Sequence, residues 1–222
     1  MAKRRPNLNQ AVRALLKDVA QRMEEFRHIK PSRILVVAGE ARRASRATVK
    51  PLTFAGGRST DALGHRKPVV RIKGKRMLYA ITLRPLFFRA STPKARIGTL
   101  LHELYHIAPG FDGTLDADRR HALVGKDFAG KLRPLVRRYV KQCPPELLAA
   151  FSHDGEVRVQ QWLERPSAQY WPRTRRLYTE EQLYYGTIRM ITRKKKGPKE
   201  PREPKRVPKP DTPVVKKPRT LH

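Results

Sequence analysis

The chain has 222 residues, with 50 Lys+Arg against 19 Asp+Glu and a net charge of +31 at pH 7. That length accommodates one ordinary domain with chain to spare, and it can bury a core without disulfides. Cys143 is the only cysteine, which excludes an intrachain disulfide and a cysteine-rich zinc finger and suits a reducing cytosol.

From the N-terminus, the basic start MAKRRPNLNQ has no uninterrupted apolar run, so no secretory signal is expected. Val12, Leu15, Leu16, Val19 and Met23 recur at helical spacing and predict a helix from Asn9 to Phe26, closed by Pro31. Arg33 to Gly39, RILVVAG, is a β-branched run that reads as a buried strand. Arg42 to Pro68, basic and broken by Gly56, Gly57 and Gly64, is expected to be loop-rich. Val69 to Ile72 and Met77 to Phe88 read as strands joined by a turn at Lys73-Gly74-Lys75. In the second, Met77, Tyr79, Ile81 and Leu83 share one face. Lys126 to Val140 predicts an amphipathic helix with a kink or restart at Pro134, and Glu146 to Phe151 another helical turn or two. Glu156 to Trp162 alternates weakly, and Leu183 to Ile191 fits strand or helix. Trp162, Tyr170 and Trp171, near Arg165 and Arg173, form an aromatic cluster better suited to packing than to base stacking.

From Arg193 the composition changes to Lys, Arg and Pro, with 12 Lys+Arg against 3 Asp+Glu. Repeated prolines and like charges predict a disordered tail over 193–222 behind a single domain over 1–192. No segment is apolar for long enough to span a bilayer, so a cytoplasmic protein without a membrane partner is expected. The positive excess favours polyanions, with non-specific nucleic-acid affinity through the basic surface and tail. A helix, a few strands, a motif helix and further helices give an α+β class.

The motif lies in STPKARIGTLLHELYHIAPG, residues 91–110. Thr92 and Pro93 form a helix start, and Pro109-Gly110 a stop. At about 100° per residue, Ile97, Leu100, Leu101, Leu104 and Ile107 fall opposite His102, while His106 shares its face. Ala95, Gly98 and Thr99 continue the histidine face with small side chains, leaving room for another element or a ligand. Two imidazoles at i and i+4 can converge on one Zn²⁺, and Glu103, turned aside, would reach a water next to the metal. Zinc lowers the pKa of its water to about 7, and a carboxylate can then take the proton as general base. A third ligand is needed. His121 is the first candidate, with Asp112, Asp116, Glu146, His153, Asp154 and Glu156 as alternatives. Tyr105 or Tyr139 could polarise a carbonyl, although packing suits either.

HELYHI, followed by APGFDG and RRHALVGKDF, resembles the phage-type metallopeptidases, a zincin-like group. It is more distantly similar to SprT-type domains, in which a stretch carrying His, Gly and Phe supplies the third ligand; those residues stand here as His121, Gly125 and Phe128. The resemblance covers roughly residues 30–140. It implies a zincin-like fold with a small mixed sheet, cleavage of protein or peptide substrates, and His121 as third ligand. It also implies that Met77 to Leu83 is an edge strand that aligns peptide. Asp112 could then orient a ligand imidazole. The competing expectations are a nucleic-acid-binding protein with a structural or degenerate zinc site, and a metal-dependent hydrolase of another amide or ester. Glu103 weighs against a structural site, which has no use for that carboxylate.

Overall fold

A computed structural model describes residues 5–39, 46–119, 121–166 and 176–192; for Phe87 and residues 121–128 the description covers the backbone only. The predicted tail over 193–222, together with Tyr170, Trp171 and Arg173, lies outside it.

The first helix, α1 (Leu8–Arg22), starts where the Asn7 side chain accepts from Gln10 N, and it buries Leu8, Val12, Leu15, Leu16 and Val19. A short 3₁₀ turn, Glu24–Phe26, continues it and buries Phe26. The strand β1 (Ile34–Ala38) is buried at all five positions. There follow β2 (Ala47–Pro51), β3 (Val69–Ile72), β4 (Lys75–Arg76), β5 (Tyr79–Leu83), α2 (Pro85–Arg89), β6 (Ala90–Ser91) and α3 (Pro93–Tyr105). The described residues end with α4 (His121–Gln142), α5 (Pro145–Ser152), β7 (Gly155–Trp162), β8 (Leu177–Tyr178) and β9 (Leu183–Thr192). The α+β class is therefore observed.

Six strands form a mixed sheet in the order β2-β5-β1-β7-β9-β6, and β4-β3-β8 form a second, smaller one. β1 runs parallel to β5 and to β7, whereas β2 is antiparallel to β5 and β9 to β7. Alternation along the central strands feeds two cores. Ile34, Val36, Tyr79, Ile81 and Leu83 pack with the helices. Leu35, Val37 and Ala80 pack on the other side with Val70, Ile72, Met77 and Tyr178 of the smaller sheet region. A strand covered on both faces carries apolar residues without alternation, which is why RILVVAG reads as an unbroken apolar run.

Several expectations change. Arg42–Pro68 contains the strand β2, not only loop. The predicted strand over Met77–Phe88 is shorter: β5 ends at Leu83 and Pro85 opens α2. Met77 precedes β5 and joins the second core, so it does not share the face of Tyr79, Ile81 and Leu83. β5 also lies inside the sheet, between β2 and β1, and cannot be the edge strand; that position belongs to β2. α4 starts at His121 and does not restart at Pro134, which lies inside it. Leu183–Ile191 is strand. Trp162 stands edge-on to Tyr178, with ring centroids 5.9 Å apart, in packing contact with the second core. No helix among the described residues is long and apolar enough to cross a membrane.

Candidate metal centre

The motif helix begins as its sequence demands. Thr92 caps α3, its hydroxyl accepting from Ala95 N at 3.2 Å, and Pro93 occupies the first turn. Ile97, Leu100, Leu101 and Leu104 are fully buried and fix the helix on the core. The helix ends at Tyr105, earlier than the Pro109-Gly110 stop would place it. His106 is its C-cap but keeps helical backbone angles (φ −76°, ψ −16°), so it still sits one turn beyond His102.

The two imidazoles converge. His106 Nε2 lies 3.3 Å from His102 Nε2, and the ring planes cross at 78°. Two nitrogens at Zn–N distances of about 2.0–2.1 Å in a tetrahedron are separated by about 3.3–3.4 Å. The pair therefore already has the spacing that one small cation requires. On the other side of its ring, His106 Nδ1 donates to the carbonyl of Arg119 at 2.9 Å. That bond fixes the tautomer in which Nε2 carries the lone pair.

Arg119 is held in turn. Its guanidinium lies 4.3 Å over the Tyr105 ring, donates to the Tyr105 carbonyl at 3.1 Å and pairs with Asp116 at 3.0 Å. Asp116 N donates to the His106 carbonyl at 2.9 Å, which closes the segment back on the helix end. The intervening loop is anchored by Tyr79, whose hydroxyl donates to the Thr114 carbonyl and accepts from Gly113 N, both at 2.9 Å. Burial raises the Tyr79 phenol to about 12. Gly113 adopts φ +94°, and a Cβ there would stand 2.0 Å from Thr53 Oγ1, so this turn admits glycine alone.

Glu103 turns from the histidines toward the sheet. The residue is 6% exposed, and Oε2 accepts from Val49 N of β2 at 2.8 Å. Burial raises its pKa to about 7, against the Val49 N–H, which favours the charged form. One oxygen is thus anchored on the edge strand; Oε1 has no hydrogen bond among the described residues.

Three of the five acidic alternatives for a third ligand already have partners. Asp112 Oδ1 accepts from Thr114 N and Oγ1, and Asp116 bonds Asp118 N and Arg119. Glu156 pairs with Arg5. The orienting acceptor that faces a histidine is the Arg119 carbonyl, with Asp112 committed to its own turn. Tyr139 is fully buried and donates to Asp18 at 2.8 Å, which makes it a packing residue. Tyr105 packs against Phe26. Among the described residues no three His, Cys, Asp or Glu side chains gather to hold an ion, and the side chain of His121 lies outside them. The two histidines present fit a borderline metal such as zinc, because neutral imidazole nitrogens suit it.

Sequence reasoning missed Arg119 and Val49. Both act through backbone atoms, which leave no pattern in residue types.

The family model described as "Putative phage metallopeptidase" matches residues 7–146. No curated protein and no solved structure matches the chain at a significant level. The matched span runs from the cap of α1 through α3 and α4, and its description is that of a hydrolase that uses a metal ion. More than half of the sequence is covered, and the chain belongs to this family of phage metallopeptidases.

Proposed function

We propose that the protein is a zinc peptidase whose ion is held by His102, His106 and His121, with Glu103 as the general base. The observation that carries this reading is the 3.3 Å approach of the two Nε2 atoms, one of them oriented from behind by a backbone carbonyl. His121 is supported by chain geometry. It is the first residue of α4, two positions after the carbonyl that binds His106. At about 3.8 Å per Cα step its backbone cannot be far from the pair.

Zinc would supply Lewis-acid polarisation of the scissile carbonyl and a more acidic water. The chain's own residues supply the rest. Neutral imidazoles would leave the charge of a bound ion undiminished. Glu103, fixed through Oε2, would take the water's proton on Oε1 and pass it to the leaving amine. β2, as edge strand next to α3, offers backbone groups to an extended peptide, a role that the zincin resemblance assigns to the sheet edge. A nucleic-acid-binding protein with a structural site has the chain's charge in its favour, but it uses only Oε2 of the buried Glu103 carboxyl and gives Oε1 no task.

The test is the Glu103→Gln variant assayed on quenched peptides with the zinc-loaded full chain. It is expected to keep its metal and lose at least about 10²-fold in kcat. Unchanged turnover would remove Glu103 from the chemistry.

A further inference from the structure

The small residues on the histidine face of α3 do more than admit a neighbour. A cleft of about 580 Å³ runs between α3 and α4 and ends at His102. Its floor is apolar, made by Ala95 and Gly98 of α3 with Leu132 and Val136 of α4. Gly98 sets the depth, since a Cβ there would lie 3.4 Å from Val136 Cγ1.

The rim is cationic. Lys94, Arg133 and Arg137 line it, all three are exposed, and no Asp or Glu lines it among the described residues. Arg133 and Arg137 stand at i and i+4 on α4, where like charges repel and cost helix stability. The positive end of the α3 dipole adds to the field at the Lys94 end. An apolar floor under a cationic rim matches a side chain with a short aliphatic stem and a carboxylate. Lys94 is eight residues from His102, about 12 Å along the helix axis, the reach of about three or four residues of extended peptide.

Resting on the peptidase reading above, we propose that this cleft is a substrate subsite that selects peptides bearing Asp or Glu within about four residues of the cleaved bond. Arg133 and Arg137 are its specificity-determining residues, and Lys94 extends the rim. The excess charge of the chain is then focused, at this point, on choosing substrate.

The experiment uses the zinc-loaded full chain and two labelled peptides that differ only in a Glu-Glu or Gln-Gln pair, at 0.15 M salt. Binding is read by anisotropy and cleavage by product formation. The acidic peptide is expected to bind about tenfold tighter. Arg133→Gln with Arg137→Gln should equalise the two, and Gln is well tolerated on a helix. Arg13→Gln with Lys17→Gln removes the same charge from an exposed face of α1 and should leave the preference intact. Equal binding by the unmodified protein would overturn the proposal. So would an equal loss in the α1 variant, which would mean diffuse attraction. An α4 variant that loses binding to a single-stranded oligonucleotide while keeping the peptide preference would also overturn it, assigning the rim to phosphates. Cleavage separates the two readings. A binding preference with neither peptide cut sinks the peptidase and keeps the subsite, whereas equal cleavage of both does the reverse.

Discussion

At the N-terminal end of α3 the Arg96 guanidinium is spent on protein acceptors, whereas at the C-terminal end the Nε2 atoms of His102 and His106 are turned toward each other. Arg96 is fully buried and donates to the carbonyls of Phe88, Phe151 and Ile191 and to the hydroxyls of Ser91 and Thr192. None of these acceptors is a carboxylate, and burial holds its pKa below the usual value. It ties α3 to α2, α5 and β9, and each of its three nitrogens donates to a protein acceptor. The histidine end is arranged from outside in: Tyr79 holds the loop, Arg119 folds over Tyr105, and a carbonyl reaches the far side of His106. The contrast separates a fully buried polar group from a half-buried pair. One is enclosed by protein acceptors and braces the fold. The other is fixed on one side, at His106, by the Arg119 carbonyl.

This contrast can be broken at each end. The largest effect is expected from Arg96→Met, which removes donors from three carbonyls and should cost about 3–5 kcal/mol in a denaturant titration. A loss under 1 kcal/mol would mean that the guanidinium is not the brace described. Gly113→Ala should cost about 2–3 kcal/mol, since the new methyl meets Thr53 and the positive φ disfavours it. A neutral result in the same titration would show that the loop rearranges freely. Arg119→Ala sharpens the comparison most finely. It should cost about 1 kcal/mol in stability and weaken zinc binding about tenfold, read by competition with a chelator, because the carbonyl behind His106 is no longer clamped. Unaltered affinity would mean that the carbonyl holds its place without the side chain.

What the sequence made legible was set by side-chain patterning. The apolar stripe of α1, the unbroken run of β1 and the Thr92-Pro93 start of α3 each reflect burial or capping by the residue itself. β2 escaped because ATVKP buries only Ala47 and Val49, too few positions to show a period among basic residues and glycines. The place of β5 in the sheet could not be read from its own residues. An inner strand and a well-covered edge strand carry the same apolar set, and only the pairing of β2 on one side and β1 on the other decides. At the site, the i, i+4 histidines and the apolar face opposite were visible. The Arg119 carbonyl and the Val49 amide were not, since any residue type supplies those atoms.

His102 and His106 are turned toward each other, and the proposal is that they share a metal ion. Its most direct test is metal analysis of the purified full chain beside the His102→Ala, His106→Ala double variant. One zinc per chain in the unmodified protein and none in a folded variant is the predicted result; stoichiometric zinc retained by the variant would contradict the account.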